Sequence, residues 1–395
     1  MRFTLTIRAR TFAKPARLLF LLGACTGALL AACDLNSTFD EVSHLLQQRQ
    51  YEAAAKLLDE VRACPGHSPL EKFQLGWLYG RARQYEKALS IFDGLPRDVP
   101  DPLTHDYAAA LSRFELGQYQ KAIALLKPDR ASGLVDSKSI NLLAVSYSKL
   151  GLYTEAYAVL SQQLQRNNRD LPTYLNLITV CAEGGDLAKA GAVAADARKQ
   201  FPQSADVPIL QGAINEQLGR SDQALADFSS AAALAPSRGD ARFFMALVEY
   251  KRGRFDAALS VLHNAERDGI ADSDLYYLAA ECLLKLQPEN RDAALAELNR
   301  AINLNSESVS ARTLRGKLLL DAGRASEASG DLETAHKLDP ASRTALYNLA
   351  RAYRAVGRAS EAQALFSQLR RTAPDTVNEF ADSRLNGVLS GTDSQ

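Results

Sequence analysis

Apolar residues along this chain fall into short runs at helical spacing, parted by polar turns, and the runs keep register with one another. The stretch RGRFDAALSVLHNA, residues 252–265, shows the unit, which returns as LGQYQKAIALLKPD at 116–129 and VGRASEAQALFSQL at 356–369. Alanine holds the same place at 54, 88, 122, 156, 190, 224, 258, 294, 328 and 362; every step is 34 residues except Ala258 to Ala294, which is 36. Glycine stands five positions earlier at 117, 151, 185, 219, 253, 323 and 357, and an aromatic three earlier at Tyr51, Tyr85, Tyr119, Tyr153 and Phe255. Four positions after the alanine comes Leu or Phe in nine of ten copies, with Ala194 the exception. Each copy therefore predicts a helix entered through a turn, and a repeat array needs no separate core for each stretch of 100–200 residues. Hydrophobic residues at 47% agree with an ordered chain, and the abundance of Ala and Leu favours helix.

The period and the register resemble the tetratricopeptide repeat, a helix–turn–helix of 34 residues. The resemblance covers roughly residues 35–376 as ten tandem copies. It implies an all-α fold: an α-solenoid, a right-handed superhelix in which each helix pair buries against the next. In the family's small-residue place of the first helix stand Gly76, Ala110, Ala144, Gly212, Ala246, Ala280, Gly316 and Ala350, and its end-of-repeat proline appears as Pro100, Pro202, Pro236, Pro340 and Pro374. Where two helices cross closely only Gly or Ala lets the backbones approach, and a bulky residue fills the space opposite. Glycine before the second helix permits a left-handed turn residue. Three departures stand out. Val42 and Ile178 occupy the small-residue place in the first and fifth copies, and the eighth carries two extra residues around LQPENRD, which predicts a local lengthening. After Pro374, Thr376 and Glu379 stand at capping-box spacing, and Val377, Phe380, Ala381, Val388 and Leu389 share a helical face. The expected organisation is thus a leader at 1–33, the superhelix at 34–376, and at 377–395 a helix capping the last repeat followed by a disordered SGTDSQ tail.

The leader changes the picture of where the array works. Five bases and no acid in residues 1–33 precede or flank Leu18–Ala32, fifteen residues without a charge, too short for the ~20 that span a bilayer. The run ends in LAAC, which resembles the lipobox of bacterial lipoproteins, with Cys33 as the acylated first residue of the mature chain. LGAC ending at Cys25 is a weaker second candidate, because it would leave a short apolar region. Asp34 after the cysteine resembles an inner-membrane retention signal. The expected location is therefore the bacterial cell envelope, tethered by lipid and facing the periplasm. Cys64, Cys181 and Cys282 lack metal or disulfide-framework spacing, so neither a zinc site nor a disulfide framework is expected. Beyond residue 33, 41 bases face 46 acids, which argues against nucleic acid as a partner.

No catalytic pattern emerges. His44, His67, His105, His263 and His336 lie in different copies, and neither a phosphate loop nor a nucleophile motif is present, so no cofactor, metal or small-molecule substrate is expected. The resemblance implies an interaction scaffold whose first helices line a groove. Projected on that face, Phe73, Trp77, Tyr107, Leu111 and Phe114 form one group, and Phe243, Leu247, Tyr250 and Tyr277 a second. These aromatics either seal helix contacts or anchor a partner segment. Lys317, Asn348, Arg351 and Arg354 in the last copies loosely resemble a carboxylate clamp. The expected partner is a protein or peptide that helps build an envelope assembly of the pilus or secretin, outer-membrane or polysaccharide-export kind. The alternative is a carbohydrate or peptidoglycan, since aromatic rings also stack on sugars.

Overall fold

The computed structural model describes residues 35–127, 136–289, 291–370, 384 and 386–390. The leader with Cys25 and Cys33, and most of the expected capping helix, lie outside them. Among the described residues up to 370 there are twenty helices, and among all the described residues there is no strand. They follow in pairs. The first four pairs are α1 (Leu35–Gln47) with α2 (Tyr51–Arg62), α3 (Pro69–Arg81) with α4 (Tyr85–Phe92), α5 (Pro102–Glu115) with α6 (Tyr119–Leu126), and α7 (Ser137–Lys149) with α8 (Tyr153–Arg166). Next come α9 (Leu171–Glu183) with α10 (Leu187–Gln200), α11 (Asp206–Gln217) with α12 (Ser221–Leu234), and α13 (Gly239–Lys251) with α14 (Phe255–Arg267). The last three are α15 (Ser273–Leu286) with α16 (Arg291–Leu304), α17 (Val309–Asp321) with α18 (Ala325–Leu338), and α19 (Arg343–Ala355) with α20 (Ala359–Leu369). The chain divides into two compact units at Asn176/Leu177, within α9. In each, neighbouring helices pack in chain order, the arrangement of an α-solenoid.

The repeated residues explain how each pair closes. A Cβ added to Gly76 would stand 2.8 Å from Phe92, one on Gly212 2.6 Å from Phe228, and one on Gly316 2.5 Å from Leu332. The small residue of the first helix and the bulky residue sixteen positions later are thus two sides of one contact, too tight for any side chain beside a ring. Phe92 and Phe228 are fully buried there. Among the described residues the inter-helix turn takes one residue of positive φ in nine of the ten pairs, +74° at Gly253 for example. In the first two pairs that residue is Arg49 or Arg83, both at φ 59°, a conformation that L-residues adopt at a cost.

The departures are absorbed locally. The two extra residues of the eighth pair are divided: α15 is one residue longer than α13, and α16 starts five residues after its end where α14 starts four after the end of α13. In the fifth pair Ile178 and Ala194 are both fully buried, and they stand at the two positions that meet as Gly212 and Phe228 in the sixth. The large and small members have changed places.

Cys181 and Cys282 are free and buried. Burial pushes their thiols up, to about 11 and about 12, so both are inert packing residues. At the other end of the chain, Arg384 and Asn386–Leu389 are helical, and contacts from Arg384 and Asn386 run to α11, α13 and α15.

Candidate functional site

In the first unit the predicted aromatic group separates into core and surface. α3 starts at a full capping box, Ser68 with Glu71, and Pro69 at its first position, which sets the face that Phe73 and Trp77 occupy. Phe73 turns inward, its ring 5.3 Å from that of Phe92 and 6.3 Å from that of His105. Trp77, four residues on, stays 38% exposed and lies 6.4 Å from Tyr107 at 36°. Burial, and next the charge of Asp136, raise the Tyr107 phenol above its usual range, so it remains a neutral donor. Leu111 and Phe114 are half-buried on α5. Phe114 packs 5.3 Å from Tyr119, at the start of the next helix.

A polar row that the sequence pattern did not single out links α7 with α9. Asn176 Nδ2 donates to Asn141 Oδ1 at 2.7 Å, and Asn141 Nδ2 donates to the Ser137 carbonyl at 2.8 Å and to Thr173 Oγ1 at 3.0 Å. Thr173 Oγ1 in turn donates to Asp170 at 2.8 Å, and Ser137 donates to the same carboxylate. The only trace of it in sequence is a set of Ser, Asn and Thr on first helices that elsewhere carry apolar residues.

In the second unit Phe243 is buried, set edge-on to Phe244 at 5.4 Å, and Leu247 is buried as well. Tyr250 and Tyr277 converge: both hydroxyls donate to Glu281, at 3.3 and 3.1 Å. Burial and the Glu281 carboxylate hold both phenols far above their usual range. These two side chains therefore serve first to bind a half-buried acid, and the accessible part of the group is small.

The basic cluster is also partly committed. Lys317 and Arg354 are exposed, whereas Asn348 is buried and donates to the Thr344 carbonyl at 2.9 Å. Arg351 pairs with Asp321 at 2.9 Å and donates to Asn348 Oδ1 at 3.1 Å. A clamp needs uncommitted donors, and Arg351 spends its two terminal nitrogens inside the array. Nearby, Arg343, Tyr347, Arg354, Phe366 and Arg370 line a cleft of about 1090 Å³ on the last pair, with Tyr347 among the most exposed aromatics of the described residues. Tyr347 stands three residues before Ala350, the place that Phe73, Tyr107, Phe243 and Tyr277 hold in their copies, and the sequence projection passed over it because it read the last copies for their basic residues.

Among the described residues no three His, Cys, Asp or Glu side chains gather as metal ligands, and no helix is long and apolar enough to cross a membrane. The five histidines stay in separate pairs; His105 is buried, its Nε2 3.1 Å from the Phe92 carbonyl.

Sequence profiles described as tetratricopeptide repeat match residues 73–128, 211–269, 245–309 and 319–384, together more than half of the chain. Among solved structures, the chain is similar to YrrB, a protein described as having an unusual peptide-binding site, with 25% identity over 46% of this chain and 93% of that one (TM-score 0.37). It is similar to yeast Tom70 at 17% identity over 93% and 95% (TM-score 0.44), and to PilF of Pseudomonas aeruginosa at 17% over 53% and 96% (TM-score 0.46). No curated protein matches the sequence.

Proposed function

The chain belongs to the tetratricopeptide-repeat family, whose arrays are protein-interaction scaffolds, and from that premise we propose that it is a lipid-tethered adaptor of the bacterial envelope whose first-helix face docks a protein segment. The observation that carries the docking surface is Trp77, a large ring left accessible beside Tyr107. A Trp–Tyr pair on a rigid helix face offers much apolar area for little side-chain entropy, the chemistry of interface hot spots. The partner segment we infer is one that seats an apolar or aromatic residue on that pair during assembly of a multi-protein envelope structure. Capture from solubilised envelope membranes is expected to recover a discrete partner with the natural chain. The Trp77→Ala/Tyr107→Ala variant should lose about 2 kcal/mol or more of that binding, roughly thirtyfold in Kd. Equal recovery by both chains would overturn the assignment.

The tether is supported by LAAC at residues 30–33. Each buried methylene of an acyl chain adds about 0.8 kcal/mol, so a diacylglyceryl cysteine with a further N-acyl chain anchors firmly. A fatty-acid probe is expected to label the natural chain in cells and to leave Cys33→Ser unlabelled; label retained by the variant would move the acceptor to Cys25.

A further inference from the structure

The described C-terminal residues are seated on a binding face. Arg384 pairs with Asp274 at 3.0 Å, and its guanidinium lies 5.4 Å from the centre of the Phe243 ring. Two residues on, Asn386 Oδ1 accepts from Gln217 Nε2 at 3.1 Å. Gly387 and Leu389 are buried, Leu389 to 3%. The hosts α11, α13 and α15 are the first helices of three consecutive pairs, and Phe243 holds one of the positions that the repeat register assigns to the groove. Part of what covers Phe243 is therefore the chain's own arginine.

The chemistry of these contacts is that of ligand recognition. A guanidinium laid over an aromatic face with a carboxylate at its edge is selective for arginine: lysine offers a point charge with no plane to stack. The described helical residues are held against the host face by these contacts. We propose that the face of α11, α13 and α15 is a peptide receptor that the chain's C-terminal segment keeps filled. A partner enters it by presenting the same elements, an arginine followed five residues later by an apolar side chain. The inference rests on the reading of first helices as the docking surface, and adds to it both a chemical preference and a built-in competitor.

Tethering places the segment at an effective concentration on the order of millimolar, so a free copy competes poorly with it. The test uses a fluorescein-labelled peptide of residues 383–391, SRLNGVLSG, titrated by anisotropy against the full chain and against a chain ending at Asp382. The shortened chain is expected to bind at least about tenfold more tightly. Asp274→Arg in the shortened chain should abolish binding, and a peptide with Arg384→Lys should bind more weakly. Arg384→Glu in the full-length chain should open the face as shortening does, which keeps the test sound should the shortened chain fail to fold. Equal affinity for the full-length, shortened and Arg384→Glu chains, or binding to none, would overturn the proposal and make the segment a packing element. Partner capture through Trp77 and Tyr107, which belongs to the first unit, is measured separately, so either result can fail while the other stands.

Discussion

Asp331→Ala is expected to loosen the ninth helix pair by about 3–5 kcal/mol, the cost of removing one member of a buried ionic cluster. The carboxylate of Asp331, on α18, is 5% exposed at its side chain and faces two arginines of α17. Arg312 Nη1 reaches it at 2.9 Å; Arg315 holds it through Nε and Nη2, both at 2.6 Å. Both guanidinia are themselves largely covered, so without the acid two like charges would face each other in a poorly solvated space. Two further donors are occupied, Arg312 Nε by the Ser306 carbonyl and Arg315 Nη1 by Asn299, which limits their freedom to turn to water. Repeat arrays couple mainly to nearest neighbours, so the loss should be local. Hydrogen exchange is the measurement: amide protection in α17 and α18 should fall on the order of 10²–10³-fold, with far smaller changes in α11 and α12. Asp331→Leu combined with Arg315→Met should cost less than Asp331→Ala alone, because the uncompensated charge is reduced with the acid. Unchanged protection in the single variant would show that these charges are solvated after all.

Neither arginine announces this cluster in the sequence, where Asp331 stands 19 and 16 residues away, and the same limit runs through the whole comparison. The register of alanines, glycines and bulky residues was legible because each repeats a local steric demand: Gly76 has no room for a Cβ beside Phe92, and Gly316 none beside Leu332. Where the demand can be met otherwise the signal fades, as at Arg49 and Arg83, which take the left-handed turn conformation without glycine. The surface was less legible than the core. Phe73 and Trp77 share one face of α3 by spacing, yet Phe92 of α4 and His105 of α5 enclose only the first. A first helix in a stack is contacted from several sides, so one amphipathic stripe does not mark where core ends and groove begins. The C-terminal segment shows the same thing at longer range: nothing in the sequence around Arg384 points to Asp274 and Phe243, its partners more than a hundred residues earlier.

The fifth pair offers the sharpest test of the steric rule, because it inverts it. Ile178 and Ala194 are each a departure when taken alone, and both are fully buried. Their separation of sixteen residues is that of Gly212 and Phe228, or of Ala144 and Leu160, the pair of positions that closes the other repeats. Ile178→Ala should cost about 2–4 kcal/mol, since a cavity opens where no large residue stands opposite. Ala194→Leu alone should cost about 1–3 kcal/mol by overfilling the space that Ile178 occupies. Combined, the two substitutions rebuild the Ala144/Leu160 arrangement with the total side-chain volume kept, and the double variant should lie within about 1.5 kcal/mol of the natural chain. The coupling between the sites, read from a double-mutant cycle in urea or from amide protection of α9 and α10, is then favourable by at least about 1.5 kcal/mol. Simple additivity, with the double variant as unstable as the sum of the singles, would mean that Ile178 and Ala194 do not share one contact and that the fifth pair closes by other means. Rescue would show that the space between the two helices of a repeat specifies a volume, indifferent to which helix supplies it, and this is why an array can lose its most characteristic residue at one position and keep its fold.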